Sequence, residues 1–137
     1  MSIYKDCDIR GIYPNEINEE IAYLIGRASG SMVPLGSCFA VGGDVRMSTP
    51  SLKEYLIRGL IESGVRVTDI GIVPTPLLYF AIDYLQFRGG IMVTASHNPA
   101  AYNGFKILLD KTPITTQDIK EIKKRVKEKN FRTQLGH

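Results

Sequence analysis

The sequence predicts an α/β fold, a three-layer α/β/α sandwich on a mixed, mostly parallel sheet. Three observations carry that prediction. Short apolar runs of strand length alternate with amphipathic stretches of helical period along almost the whole chain. Helical stretches open on capping residues or on prolines in their first turn. The pair Asn103-Gly104 lies between two apolar runs, and a turn there adds an antiparallel neighbour to an otherwise parallel sheet. At 137 residues and 44% apolar content the chain suits one domain with a true core, residues 1–137. No repeat, low-complexity tract or linker divides it.

The elements follow in order. Residues 4–11 read as irregular or extended chain, with Gly11 permitting a tight bend. Asn18 is a good N-cap, Glu19 and Glu20 favour a first turn, and Ile21, Leu24, Ile25 and Ala28 recur at helical spacing in a helix ending near Gly30 to Pro34. Cys38-Phe39-Ala40-Val41-Gly42 is a short buried strand. A loop over 43–48 leads to Thr49 as N-cap and Pro50 in the first turn of a helix reaching Gly64. Residues 65–70 alternate as a strand. Residues 71–76 form a shaping loop, and Thr75-Pro76 opens a helix over 77–85. Residues 89–93 are a buried strand, 105–109 another, and Thr115 or Thr116 caps a last helix running to about Asn130. Its many lysines read as a solvated face, with Glu121–Arg125 and Lys124–Glu128 as i,i+4 pairs.

Composition excludes several functions. A formal charge of +3 is too mild to argue for nucleic acid. Cys7 and Cys38 are isolated, without a CxxC or a His/Cys cluster, so they read as reduced thiols. The N-terminus lacks an apolar h-region and no run reaches membrane-spanning length, so a cytoplasmic chain is expected. Neither G-x-G-x-x-G nor G-x-x-x-x-G-K-[ST] occurs, and no G-x-S-x-G elbow supports a serine hydrolase. Adjacent Ser96 and His97 do not readily adopt nucleophile–base geometry, and His137 is terminal.

The chemistry concentrates in Thr94-Ala95-Ser96-His97-Asn98-Pro99. A buried strand precedes this run, small residues surround the serine, and Asn98-Pro99 ends regular structure at once. A hydroxyl at the carboxyl end of a strand is where open α/β sheets bind ligands. Lys106, just beyond Asn103-Gly104, can share the same loop mouth.

This hexapeptide, with Asn103-Gly104-Phe105-Lys106 behind it, resembles the active-serine loop of the α-D-phosphohexomutases. Asp8-Ile9-Arg10-Gly11 resembles that family's N-terminal signature, and Gly42-Gly43-Asp44-Val45-Arg46 its Gly-x-Asp-x-Arg element. Many members have a larger polar or basic residue where this chain has Gly43. The resemblance spans roughly residues 4 to 110 and implies only the family's first domain.

It implies that Ser96 is a phosphoryl carrier passing phosphate to and from a hexose phosphate through a bisphosphorylated sugar. Lys106 and His97 would act beside it, and Arg10, Arg46, His97 and Asn98 would hold phosphate. For Asp44 and Arg46, mutual bracing of the loop is as good a reading as ligand contact. A phosphoserine adds about two negative charges and three acceptor oxygens, so cations must face it. The family uses Mg²⁺, held partly by the phosphoserine and partly by an acidic loop of a second domain, and a hexose 1,6-bisphosphate as activator. That acidic loop is missing from this sequence. The chain alone is therefore expected to be inactive without the remaining mutase domains. A non-catalytic interaction or regulatory module is the alternative.

Overall fold

The computed structural model describes residues 2–134, and among them five strands and four helices account for most positions. In order they are β1 (Ile9–Ile12), α1 (Glu19–Ser31), β2 (Cys38–Gly43), α2 (Thr49–Glu62), β3 (Arg66–Ile72), α3 (Thr75–Tyr84), β4 (Gly89–Val93), β5 (Tyr102–Leu108) and α4 (Thr116–Glu128). The sheet order is β1-β5-β4-β2-β3. β2 pairs in parallel with β3 and β4, while β5 pairs antiparallel with both β4 and β1. β5 alone therefore opposes the other four strands, and the sheet is mixed and mostly parallel.

Strand alternation divides the core between two faces. Phe39, Val41, Ile91, Val93, Phe105 and Ile107 meet buried residues of α1, α2 and α4 on one side. Ala40, Met92 and Leu108 meet Leu78 and Ile82 of α3 on the other. On the first side α1 and α2 approach so closely that a Cβ on Gly59 would lie 2.2 Å from the Tyr23 carbonyl. A Cβ on Gly26 would lie 2.3 Å from the Leu56 carbonyl, so glycine on both helices sets their spacing.

Local signals account for most helix ends. Asn18 accepts the Ile21 amide at 3.0 Å, and Thr115 forms a reciprocal capping box with Asp118. Two caps differ from expectation. α2 is preceded by Ser48 as N-cap, because the Thr49 hydroxyl is spent on Asp44 instead. α3 starts at Thr75, after Pro74, two residues earlier than predicted. α4 buries Ile119 and Ile122, and its lysines face solvent.

Two predictions fail at the sheet edge. Of the irregular or extended chain expected at the start, residues 9–12 are extended as a strand, but Gly11 pairs with Asn103 instead of making a bend. Asn103-Gly104 is not a turn but lies inside β5. A Cβ on Gly104 would stand 2.1 Å from the Ile9 carbonyl, so glycine is needed there for the close approach of β1. Among the described residues no helix is long and apolar enough to cross a membrane.

Candidate active site at the carboxyl end of β4

β4 ends at Val93, and the chain turns at once. The Thr94 amide donates to the Gly104 carbonyl at 2.9 Å and the Asn98 amide to the Ala95 carbonyl at 3.0 Å. Thr94 and Ala95 are buried, whereas Ser96 and His97 are exposed. Ser96 has φ +54, a left-handed conformation that costs a non-glycine residue about 1–3 kcal/mol and must be held in place. Its amide donates to Thr94 Oγ1 at 3.0 Å.

The parallel neighbour β2 supplies the support. The Asp44 amide donates to the Val93 carbonyl at 3.2 Å, which fixes the β2 exit against the β4 exit. The Asp44 carboxylate accepts from the Thr94 hydroxyl at 2.7 Å, the Thr49 hydroxyl at 2.8 Å and the Arg46 amide at 3.0 Å. It also pairs with the Arg46 guanidinium. Burial pushes the Asp44 carboxyl upward, yet these donors outweigh it and hold the group below the usual carboxylate range. Arg46 Nη2 donates to the carbonyls of Ser96 at 3.2 Å and Asn98 at 2.5 Å. Fully buried Asn103 anchors the base, donating to Ser48 Oγ at 2.8 Å and Thr49 Oγ1 at 3.0 Å.

The antiparallel strands bring the cations. Lys106 sits opposite Met92 on β4, and its Nζ lies 3.3 Å from Asp8 Oδ2. Arg10 donates to Asn98 Oδ1 at 3.3 Å, with its Nε 3.8 Å from Asp8 Oδ1.

Ser96, His97, Arg46 and Lys106 thus line one open groove of about 690 Å³. Val73, Pro74, Thr75, Pro76 and Tyr79 form its α3 side, in keeping with a shaping role for that loop. Asn98 and Arg10 stand beside the groove, coupled to each other. His97 makes no side-chain hydrogen bond among the described residues, and His137 lies outside them. Three participants went unread in the sequence as site residues: Asp8, Thr94 and Asn103. Asp8 lies in the same signature as Arg10. Thr94 has the in-facing parity of Met92 at the end of β4, a signal that alternation alone carries.

Among the described residues no group of three or more His, Cys, Asp and Glu is placed to hold a metal. Asp44, the carboxylate hydrogen-bonded to Thr94 of the serine loop, is occupied by Thr94, Thr49 and Arg46. These residues do not by themselves fit a Mg²⁺ site.

Known proteins resemble this chain in sequence and fold. Residues 1–133 match the family described as phosphoglucomutase/phosphomannomutase, alpha/beta/alpha domain I. A phosphomannomutase/phosphoglucomutase of Pseudomonas aeruginosa is 41% identical over 137 residues, covering 98% of this chain and 30% of that protein. A Klebsiella pneumoniae phosphomannomutase is 43% identical over 133 residues, covering 96% of this chain and 84% of that sequence. The crystal structure of a phosphoglucomutase/phosphomannomutase family protein from Burkholderia thailandensis superposes with a TM-score of 0.90 at 40% identity, over 98% of this chain and 31% of that one. The chain thus spans about a third or less of the Pseudomonas and Burkholderia relatives. It belongs to the phosphoglucomutase/phosphomannomutase family and corresponds to the family's α/β/α domain I.

Proposed function

We propose that this chain is the phosphoserine-bearing domain of a hexose phosphomutase, with Ser96 Oγ as the phosphoryl carrier. The observation that supports it most directly is an exposed serine, held in a left-handed turn at a strand end, in one groove with Lys106 and His97. Phosphoryl transfer asks a protein chiefly for positioning and charge neutralisation, and this arrangement supplies both.

In the forward step the P–Oγ bond of phosphorylated Ser96 breaks as a hexose hydroxyl oxygen bonds to phosphorus. That hydroxyl loses its proton, and Ser96 Oγ gains one. Lys106, steadied by Asp8, is the group assigned to relay it. The sugar bisphosphate then reorients and returns its other phosphoryl group to Ser96. Arg10, His97 and the side-chain Nδ2 of Asn98 are assigned to the phosphate oxygens. Arg46 is assigned to the loop, because its Nη1 holds Asp44 and its Nη2 holds two carbonyls.

Reaction with a hexose phosphate is assigned to the chain together with further mutase domains, which would supply the acidic metal loop for Mg²⁺ and the sugar-reading contacts. The open side of the groove, bordered by exposed Tyr79 of α3, is where they would approach. Intact mass and peptide mapping before and after incubation with glucose 1,6-bisphosphate and Mg²⁺ test the proposal. One phosphate on Ser96, absent in Ser96→Ala, is expected. Phosphate scattered over many serines, or none on Ser96 even with the remaining domains added in trans, would refute it and favour a non-catalytic module.

A further inference from the structure

We propose that Asp44 is the positioning residue of this site: through Thr94 on one side and Arg46 on the other, it grips both peptide groups of Ser96. The inference rests on the phosphoryl-carrier reading for its consequence, but not for its geometry.

Four residues close a ring. The Ser96 amide donates to Thr94 Oγ1 at 3.0 Å, and the Thr94 hydroxyl donates onward to Asp44 Oδ2 at 2.7 Å. The Ser96 carbonyl accepts from Arg46 Nη2 at 3.2 Å, and Arg46 Nη1 returns to the same Asp44 oxygen. One carboxylate therefore ends both chains of contact that leave the Ser96 backbone.

Such a ring matters because Ser96 is not glycine. A serine free to relax leaves the left-handed region, and its Oγ would then swing away from the groove. The ring is also rooted. Asp44 Oδ1 accepts from the Thr49 hydroxyl and the Arg46 amide at the start of α2, and Thr49 is held in turn by buried Asn103 on β5. Serine orientation is thereby referred to the sheet and to α2 rather than to the loop itself.

Charge points the same way. Asp44 and Arg46 neutralise each other inside the ring, with side chains only 20% and 12% exposed. A dianion on Ser96 would then face Arg10, His97 and Lys106 without an uncompensated carboxylate beneath it.

Three variants of the full chain test this: Asp44→Asn, Thr94→Val and Thr94→Ser. The asparagine offers an amide where Arg46 needs an acceptor, and valine keeps the threonine shape without its hydroxyl. Serine keeps the hydroxyl and loses the methyl. Two readouts are taken, the hydrogen-exchange rate of the Ser96 amide by NMR and the rate of phosphate uptake from glucose 1,6-bisphosphate with Mg²⁺.

Thr94→Val and Asp44→Asn are expected to speed Ser96 amide exchange about tenfold and slow uptake by at least about as much, as loss of a buried charge-assisted contact implies. Thr94→Ser is expected to restore both to near the wild-type rates. A packing role for Thr94 predicts the opposite ranking, with valine harmless and serine harmful, and that result would overturn the proposal. So would a folded Thr94→Val chain with unchanged Ser96 exchange. If wild type takes up no phosphate, the carrier reading fails, while amide exchange still decides the ring. Should Asp44→Asn not fold, the two Thr94 variants carry the test.

Discussion

Three helices, α1, α2 and α4, cover one face of the sheet, whereas α3 alone covers the other. On the crowded face the buried apolar residues of seven strand positions and three helices form one continuous core, and the helices meet glycine against backbone. On the sparse face Leu78 and Ile82 of α3 form a small core with Ala40, Met92 and Leu108, edged by half-buried Ile70, Val73 and Phe87. By strand parity, Lys106 and Arg10 lie on that second face with no helix over them. The groove occupies the room that another helix would take. Stability is thus concentrated where no chemistry happens, and the thinly covered face is left to present charged groups.

This contrast can be broken by substitution. The largest effect is expected at Leu60, fully buried between α2 and the sheet, where Leu60→Ala should cost about 2–5 kcal/mol in denaturant unfolding. Gly59→Ala comes next. Its methyl would stand 2.2 Å from the Tyr23 carbonyl and force α1 and α2 apart, at about 1–3 kcal/mol. Near wild-type stability in that variant would show the glycine contact to be slack.

Acid titration sharpens the comparison from the other side. Asp44 titrates lower in the folded chain than its ordinary value, so its stabilisation is complete above the unfolded carboxyl's pKa, near about 3.9, and is lost as pH falls through the folded one. The stability gap between wild type and Asp44→Asn should therefore be widest at neutral pH and close in acid. A gap independent of pH would mean that charge plays no part.

Ser96→Gly removes the serine yet relieves the left-handed backbone, so stability should change by less than about 1 kcal/mol while phosphate uptake is abolished. Smallest of all is Tyr84→Ser on the outer side of α3, where Tyr84 is 73% exposed, with an expected change within about 0.5 kcal/mol. A larger loss, dependent on protein concentration, would reveal that this apolar face is covered by a second copy.

Where the sequence was legible, its signals were local. Asn18 and Thr115 cap helices through contacts three residues away, and the small residues and Asn98-Pro99 mark the serine loop from within. Asn103-Gly104 shows the limit of local reading. The same pair serves a turn or a crowded strand, and it is the Ile9 carbonyl, from the far end of the chain, that makes it the latter. β1 could be read only as irregular or extended chain for the same reason, since four residues show little periodicity and their pairing partners lie ninety or more positions on.

Fold class and the Asn18 and Thr115 caps follow from residue order, because propensity, capping and alternation act over a few residues. The ring around Ser96 does not. Asp44–Thr94 and Arg46–Ser96 each join residues fifty positions apart, and Lys106–Asp8 joins residues ninety-eight apart. Only the placement of β2 beside β4, and of β5 between β4 and β1, turns those side chains toward one another, because strand adjacency is settled by burial of the whole sheet.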